Sequence, residues 1–353
     1  MKTSSPAFVR PAIKDLAGYV PGEQPRDRRY IKLNTNENPY PPSPRVIEAV
    51  RLAATDDLRL YPDPVATALR RKAGSVYGFD PDWILAGNGS DDLLSILVRA
   101  CAEDDDRVVY PVPTYSLYDT LVAIQGAQAR HVPFPADFRL PVDDLLAHDG
   151  RVTFVCNPNS PSGTLTPVAV IEEMARRTSG LLVVDEAYVD FASESALPLV
   201  HRFGNVVVLR TFSKSFSLAG MRIGLAFAQP PVIRELAKVK DSYNLTRLSL
   251  VAAEAALDDY AWMEANVARI RATRAHLTAR LRELGFEVPP SEANFVLARR
   301  RGHDMGAVQQ GLKARGVLVR YFATPELRDA LRISVGTDAE IETLLENVGP
   351  LLK

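Results

Sequence analysis

Cysteine is scarce: Cys101 and Cys156 are the only two in 353 residues, far apart and without metal-ligand spacing. That excludes a disulfide framework, favours a reducing compartment and leaves both thiols as buried small hydrophobes. The five histidines, at 131, 148, 201, 276 and 303, form no close pair, which leaves metal catalysis without its usual ligands. An excess of either charge is missing too. Lys and Arg number 42 against 43 Asp and Glu, for a formal charge of -1, so no electrostatic case exists for nucleic acid or an anionic membrane as partner. Met1-Lys2-Thr3-Ser4-Ser5-Pro6 lacks the apolar core of a signal peptide, and no later run approaches a membrane span; a cytoplasmic protein is expected. Repeats and low-complexity tracts are absent as well. What is present, 46% hydrophobic and 24% charged residues, suits an ordinary globular chain long enough for one large or two medium domains.

Residues 1–43 are rich in proline and charge, closing on Pro39, Pro41 and Pro42, and read as an extended arm of the kind that lies on a partner subunit. Residues 44–245 read as a large domain. There the short runs at 83–86, 108–110, 152–156, 181–184, 206–209 and 223–228 are apolar almost throughout, Thr153 being the polar exception, as suits strands buried on both faces of a mostly parallel sheet. With helical segments between them, this is an α/β domain with helices on both faces of the sheet. Residues 246–353 read as a smaller α+β domain. It opens on long helices, one with Val267, Ile270, Leu277, Leu281 and Leu284 along its apolar side, followed by strands near 294–298, 317–319 and 331–335.

The chemistry concentrates after the strand at 206–209, where Thr211-Phe212-Ser213-Lys214-Ser215 leads to Gly220-Met221-Arg222. A lysine whose pKa is lowered by its surroundings condenses with an aldehyde, and Thr211, Ser213 and Arg222 offer hydroxyls and a cation to a phosphate. Taken alone, Lys214 could equally be a surface lysine in a polar loop. Gly87-Asn88-Gly89-Ser90-Asp91-Asp92 superficially matches a dinucleotide fingerprint, but Asp92 stands where the third glycine belongs, and the Rossmann reading fails. What remains is a helix start whose Ser90 and Asp91 amides and Ser90 hydroxyl suit a phosphate, or merely a capped helix. Asp185 sits at the carboxyl end of a buried strand, placed to pair with a pyridinium nitrogen. Tyr115, after a proline-rich turn, could stack on a planar ring or fill the core. The turn Asn157-Pro158-Asn159-Ser160-Pro161-Ser162-Gly163 offers amides to a phenolic oxygen, or is simply a turn.

These segments, with Leu33-Asn34-Thr35-Asn36-Glu37-Asn38-Pro39-Tyr40, Arg59-Leu60-Tyr61-Pro62, Asp185-Glu186-Ala187-Tyr188 and Leu331-Arg332-Ile333-Ser334-Val335-Gly336-Thr337, follow a distinctive order and spacing. In both, the chain resembles the fold-type I pyridoxal-phosphate aminotransferases over nearly its whole length, most nearly their histidinol-phosphate branch. The resemblance implies pyridoxal 5'-phosphate as cofactor, with Lys214 linked to it and moving the proton. Asp185 would hold its ring nitrogen, Tyr188 its phenolic oxygen and Tyr115 its ring face. Gly89, Ser90, Asp91, Ser213 and Arg222 would surround its phosphate, joined by Tyr61 from the other subunit of a homodimer. Arg332 and Arg320 would bind the anionic end of the substrate, with Asn38 beside them.

One departure stands out. Relatives carry Asn-Pro-Thr-Gly where this chain has Ser160-Pro161-Ser162-Gly163, so the asparagine on the phenolic oxygen is missing; Asn157 is expected to replace it, with Asn159 as the alternative. The implied reaction exchanges an amino group between L-histidinol phosphate and 2-oxoglutarate, both small molecules. An aromatic amino-acid transaminase, a threonine-phosphate decarboxylase and a non-catalytic cofactor-binding regulator are the alternatives.

Overall fold

The computed structural model describes residues 6–14, 16, 18 and 21–352. Among these, seven strands form the large sheet: β2 (Ile84–Gly87), β3 (Arg107–Val112), β4 (Gln128–Pro133), β5 (Val152–Cys156), β6 (Leu181–Asp185), β7 (Val206–Thr211) and β8 (Gly224–Phe227). Four more, β1 (Ile31–Leu33), β9 (Phe295–Arg299), β10 (Val317–Tyr321) and β11 (Ala330–Ser334), form the small one. The large sheet runs β2-β8-β7-β6-β5-β3-β4. Strands β4, β3, β5, β6 and β7 are mutually parallel, while β8 lies antiparallel to both β7 and β2.

The apolar runs form strands because both of their faces are covered. Along β6, Leu182 and Val184 enter one core and Val183 the opposite one; along β7, Val206 and Val208 part from Val207 and Leu209 in the same way. Helices Thr67–Tyr77, Val168–Arg177 and Arg247–Asp258 supply the first core through residues such as Leu69, Met174 and Leu250. Helices Ser90–Cys101, Leu117–Gln125 and Pro230–Val239 supply the second through Leu97, Val122 and Leu236. Truncating a fully buried Leu such as Leu182 or Leu209 to Ala costs about 2–5 kcal/mol. Strand β4 was not anticipated: it lies at the sheet edge, and Gln128-Ala129-Arg130-His131-Val132-Pro133 is buried only at Val132. An edge strand need not be apolar.

The small sheet runs β1-β10-β11-β9, so residues of the proline-rich segment enter it through β1, parallel to β10. The long helix Tyr260–Glu283 serves both cores, with Met263, Val267 and Ile270 in the large one and Leu277 and Leu281 in the small one. No helix among the described residues is long and apolar enough to cross a membrane.

Two features of register bring the chemistry together. Gly87 pairs with Gly224, and Gly224 with Thr211, so the turn leaving β2 and the turn leaving β7 emerge side by side. Cys156 pairs with Asp185, and Asp185 with Leu209, so the loops after β5, β6 and β7 open at one edge. In open α/β sheets that carboxyl edge is where ligands sit.

Candidate active site

A cavity of about 230 Å³ lies at this edge, between the large sheet and β10–β11. One end of it is built for an anion. The helix Ser90–Cys101 begins there with Gly89 as its N-cap, directing the positive end of its dipole and its first amides outward. Gly89 has φ +84, and a Cβ on it would stand 2.5 Å from Arg222 Nη2. A Cβ on Gly224 would stand 2.7 Å from the Ser90 amide nitrogen, so only glycine lets the two turns close. Arg222 itself occupies the left-handed region at φ 53, a strained setting for a side chain with a Cβ. That backbone brings its guanidinium to Ser213 Oγ (3.4 Å) and Asp91 Oδ2 (3.4 Å). Thr211 Oγ1 is 3.1 Å from Ser213 Oγ, completing a patch of two hydroxyls and one cation.

Lys214 rises beside this patch. Its Nζ donates to the Thr35 carbonyl at 3.4 Å and lies 5.7 Å from the centre of the Tyr188 ring. Burial, and then the positive charge of Arg332, pull its pKa down to about 8. At that value roughly one amine in ten is neutral near pH 7, far more than for an ordinary lysine. Asn38 clamps the turn from outside, its Nδ2 donating to the Lys214 and Ser215 carbonyls at 3.1 and 3.0 Å.

Asp185, 2% exposed, forms the floor. Tyr118 Oη donates to its Oδ2 at 2.8 Å and the Ala187 amide to its Oδ1 at 3.2 Å. Burial pushes its pKa up to about 6, against the pull of those hydrogen bonds. Tyr115 lines the cavity and donates to Asp91 Oδ1 at 3.0 Å. Tyr188 lines it too, and its hydroxyl accepts from Asn36 Nδ2 at 3.1 Å.

At the far end, Arg320 and Arg332 are direct cross-strand partners on β10 and β11, and both line the cavity. Arg332 donates to Ser160 Oγ at 3.2 Å and to the Asn34 carbonyl at 2.9 Å, with its guanidinium 5.3 and 5.6 Å from the Phe295 and Phe322 rings. From the loop after β5, Ser160 and Pro161 face the cavity. Asn157 braces that loop instead: its Nδ2 donates to the Thr166 carbonyl at 3.0 Å and its Oδ1 accepts from the Thr166 amide at 2.7 Å. Asn159 donates to the Pro113 carbonyl and to Ser162 Oγ, and accepts from Thr114. Tyr61 lies away from the cavity of its own chain, 77% exposed and stacked on Tyr243 with ring centres 4.4 Å apart.

The donor set fits pyridoxal phosphate. A buried lysine and a buried carboxylate face one cavity with no ion pair between them, and beside them stand a cation, hydroxyls and a helix N-terminus aimed at one spot. A group carrying a phosphate, an aldehyde and a protonatable ring nitrogen satisfies all three at once. Sequence reasoning passed over Tyr118 and gave no role to Asn36 and Ser160, though both stand in the motifs quoted. Tyr118 stands one helical turn beyond Tyr115, a spacing that places both on one side of the chain and could have pointed to it.

Comparison with known proteins agrees with this geometry. The model of the family described as aminotransferase class I and II matches residues 28–348. A histidinol-phosphate aminotransferase of Citrifermentans bemidjiense is 49% identical over 346 residues, covering 97% of this chain and 99% of its own. One of Syntrophotalea carbinolica is 50% identical over 338 residues, covering 96% of this chain and 97% of its own. Among solved structures, the histidinol-phosphate aminotransferase of Sinorhizobium meliloti in complex with pyridoxal-5'-phosphate superposes with a TM-score of 0.91 at 28% identity, over 99% of this chain and 100% of that one. The chain belongs to the class I and II aminotransferase family.

Proposed function

We propose that this aminotransferase exchanges the amino group between L-histidinol phosphate and 2-oxoglutarate, giving imidazole-acetol phosphate and glutamate. The observation that carries the chemistry is the pairing of Lys214, pulled down to about 8, with the buried Asp185 in one cavity. Relatives of that name at about half identity support the substrate assignment. So do the paired arginines. One anion site must accept a phosphate from histidinol phosphate and a carboxylate from glutamate, and the guanidinium fork binds both.

Pyridoxal phosphate, when bound, supplies the aldehyde and an electron-accepting ring. In this reading Ser90, Ser213 and Arg222 hold its phosphate at the helix N-terminus shaped by Gly89, with Asp91 anchoring Arg222. Lys214 Nζ would be the amine that holds its aldehyde carbon and, when free, would carry the proton to and from the substrate carbon. Asp185 would keep the ring nitrogen protonated, Tyr188 would hold the phenolic oxygen and Tyr115 would pack on the ring face. Asn157 acts through the loop that carries Ser160. Arg332 and Arg320 fix the substrate's anionic end, and Asn38 holds the lysine turn against the substrate side. The second subunit of a cytoplasmic homodimer brings Tyr61 to the phosphate.

Borohydride treatment of the cofactor-loaded protein, followed by peptide mass spectrometry, tests the core of this reading. The cofactor should remain fixed to Lys214; recovery on any other lysine would refute the assignment.

A further inference from the structure

Tyr118 is a fully buried tyrosine whose hydroxyl has a chemical partner and no assigned role. Its ring stacks on Phe154 (centres 4.7 Å apart, planes at 16°) and meets Tyr110 and Tyr115 edge-on at 5.6 and 5.7 Å. Phenylalanine would meet that packing equally well. What tyrosine adds is the 2.8 Å hydrogen bond to Asp185 Oδ2.

The surroundings of Asp185 favour a protonated carboxyl. Asp91, from the helix Ser90–Cys101, and the adjacent Glu186 add negative charge, and burial withholds water. Cys156 on β5 and Tyr188 beyond β6 also face it, both with pKa values raised by burial. Lys214 Nζ, in the same cavity, donates to the Thr35 carbonyl. Against these stand two donors, Tyr118 and the Ala187 amide. Tyr118 remains a donor throughout the working range, because burial and Asp185 raise its own pKa well above that of free tyrosine.

We propose that Tyr118 is a positioning residue for transamination: its hydrogen bond holds the Asp185 carboxylate ionised and aimed, so that the proton shared with a ring nitrogen stays on the nitrogen. The proposal rests on the reading of Asp185 as the partner of the pyridoxal phosphate nitrogen. Where one proton lies between two bases depends on the difference in their proton affinities. A donor on the carboxylate lowers its affinity, and in a dry site that effect is large. Without the hydroxyl the proton moves toward Asp185, and the ring loses electron-accepting power in the step that takes the proton from carbon.

The test is nitrogen NMR on holoenzyme carrying pyridoxal phosphate isotopically labelled at the ring nitrogen, wild type against Tyr118→Phe. In the wild type the nitrogen should be protonated across the neutral range. In the variant the nitrogen resonance should move toward that of a neutral pyridine throughout the neutral range, with kcat down by about tenfold and KM within about twofold. Loss of packing alone would change thermal stability and leave the nitrogen resonance in place. An identical nitrogen resonance and kcat in the two proteins overturns the role of Tyr118. A wild-type nitrogen that is already neutral overturns the Asp185 reading, and this proposal with it. If Tyr118→Phe does not fold, a fluorinated tyrosine placed at position 118 strengthens the donor and must move the resonance of the shared proton upfield, toward the nitrogen; an unchanged resonance refutes the proposal.

Discussion

Lys214 and Asp185 carry opposite charges that the fold buries at a cost, and the pH dependence of that cost has a definite sign. Asp185 binds its proton more tightly folded, near 6, than unfolded, near 3.8. Stability of the cofactor-free protein therefore falls as pH rises through that window, and the whole penalty is present above about 6. Asp185→Asn should consequently melt a few degrees higher than wild type as apoprotein at pH 7.5, with the advantage disappearing as pH falls below about 4. The same variant, loaded with cofactor, should lose orders of magnitude in kcat. A destabilised apoprotein at pH 7.5 would show that the carboxylate is not strained in the fold. The arginine pair divides the labour differently. Arg332→Ala should weaken both half-reactions by about 10–100-fold in kcat/KM, the loss of a charge-assisted bond. Arg320→Ala should harm histidinol phosphate more than glutamate, because a phosphate engages two guanidiniums and a carboxylate can be held by one; steady-state kinetics with each donor decides. Residue types and order made Lys214, Asp185 and Arg222 legible in the sequence as candidates, since Asp185 and Lys214 come just after apolar runs and Arg222 just before one. The direction of a loop side chain was not legible. Asn157 directs both ends of its amide at the Thr166 backbone, and that depends on the path of a chain nine residues further on.

The turns after β6 and β7 are joined behind the cavity by buried charge. Arg210 on β7 binds Glu186 Oε2 at 3.0 Å and Asp190 Oδ1 at 3.1 Å, and Asp190 in turn accepts from Ser215, the neighbour of Lys214. Glu186 adjoins Asp185, so this network ties the lysine turn to the carboxylate turn. Arg210→Met leaves two largely buried carboxylates uncompensated and should cost about 3–5 kcal/mol in denaturant unfolding, with part of the loss recovered in the double variant with Glu186→Gln. A loss below about 1 kcal/mol would mean the network is screened like a surface pair. Strands β5, β6 and β7 were legible as largely apolar runs, with Thr153 inside β5 and polar residues closing β6 and β7, because both faces are buried. Strand β1, only Ile31-Lys32-Leu33, was not: three residues carry no period, and its place in the sheet is fixed by β10 alone.

The assembled chain leaves Leu58, Leu60, Tyr61 and Val65 from 45% to 77% exposed on one short stretch, apolar surface suited to a second copy of the protein. If Tyr61 completes the partner's phosphate site, Tyr61→Ala and Lys214→Ala proteins should each be impaired, and mixing them under exchange should restore activity. A mixture no more active than its components would place Tyr61 outside the shared site. The cavity between the two sheets was legible only as an expectation, because its walls come from loops far apart in sequence that meet through sheet register. The most direct test of the whole account is a comparison of kcat/KM for L-histidinol phosphate, phenylalanine and tyrosine as amino donors to 2-oxoglutarate, with Lys214→Ala as the blank. Histidinol phosphate should be the best donor and the blank inactive; a higher kcat/KM for phenylalanine or tyrosine, or turnover without Lys214, would contradict it.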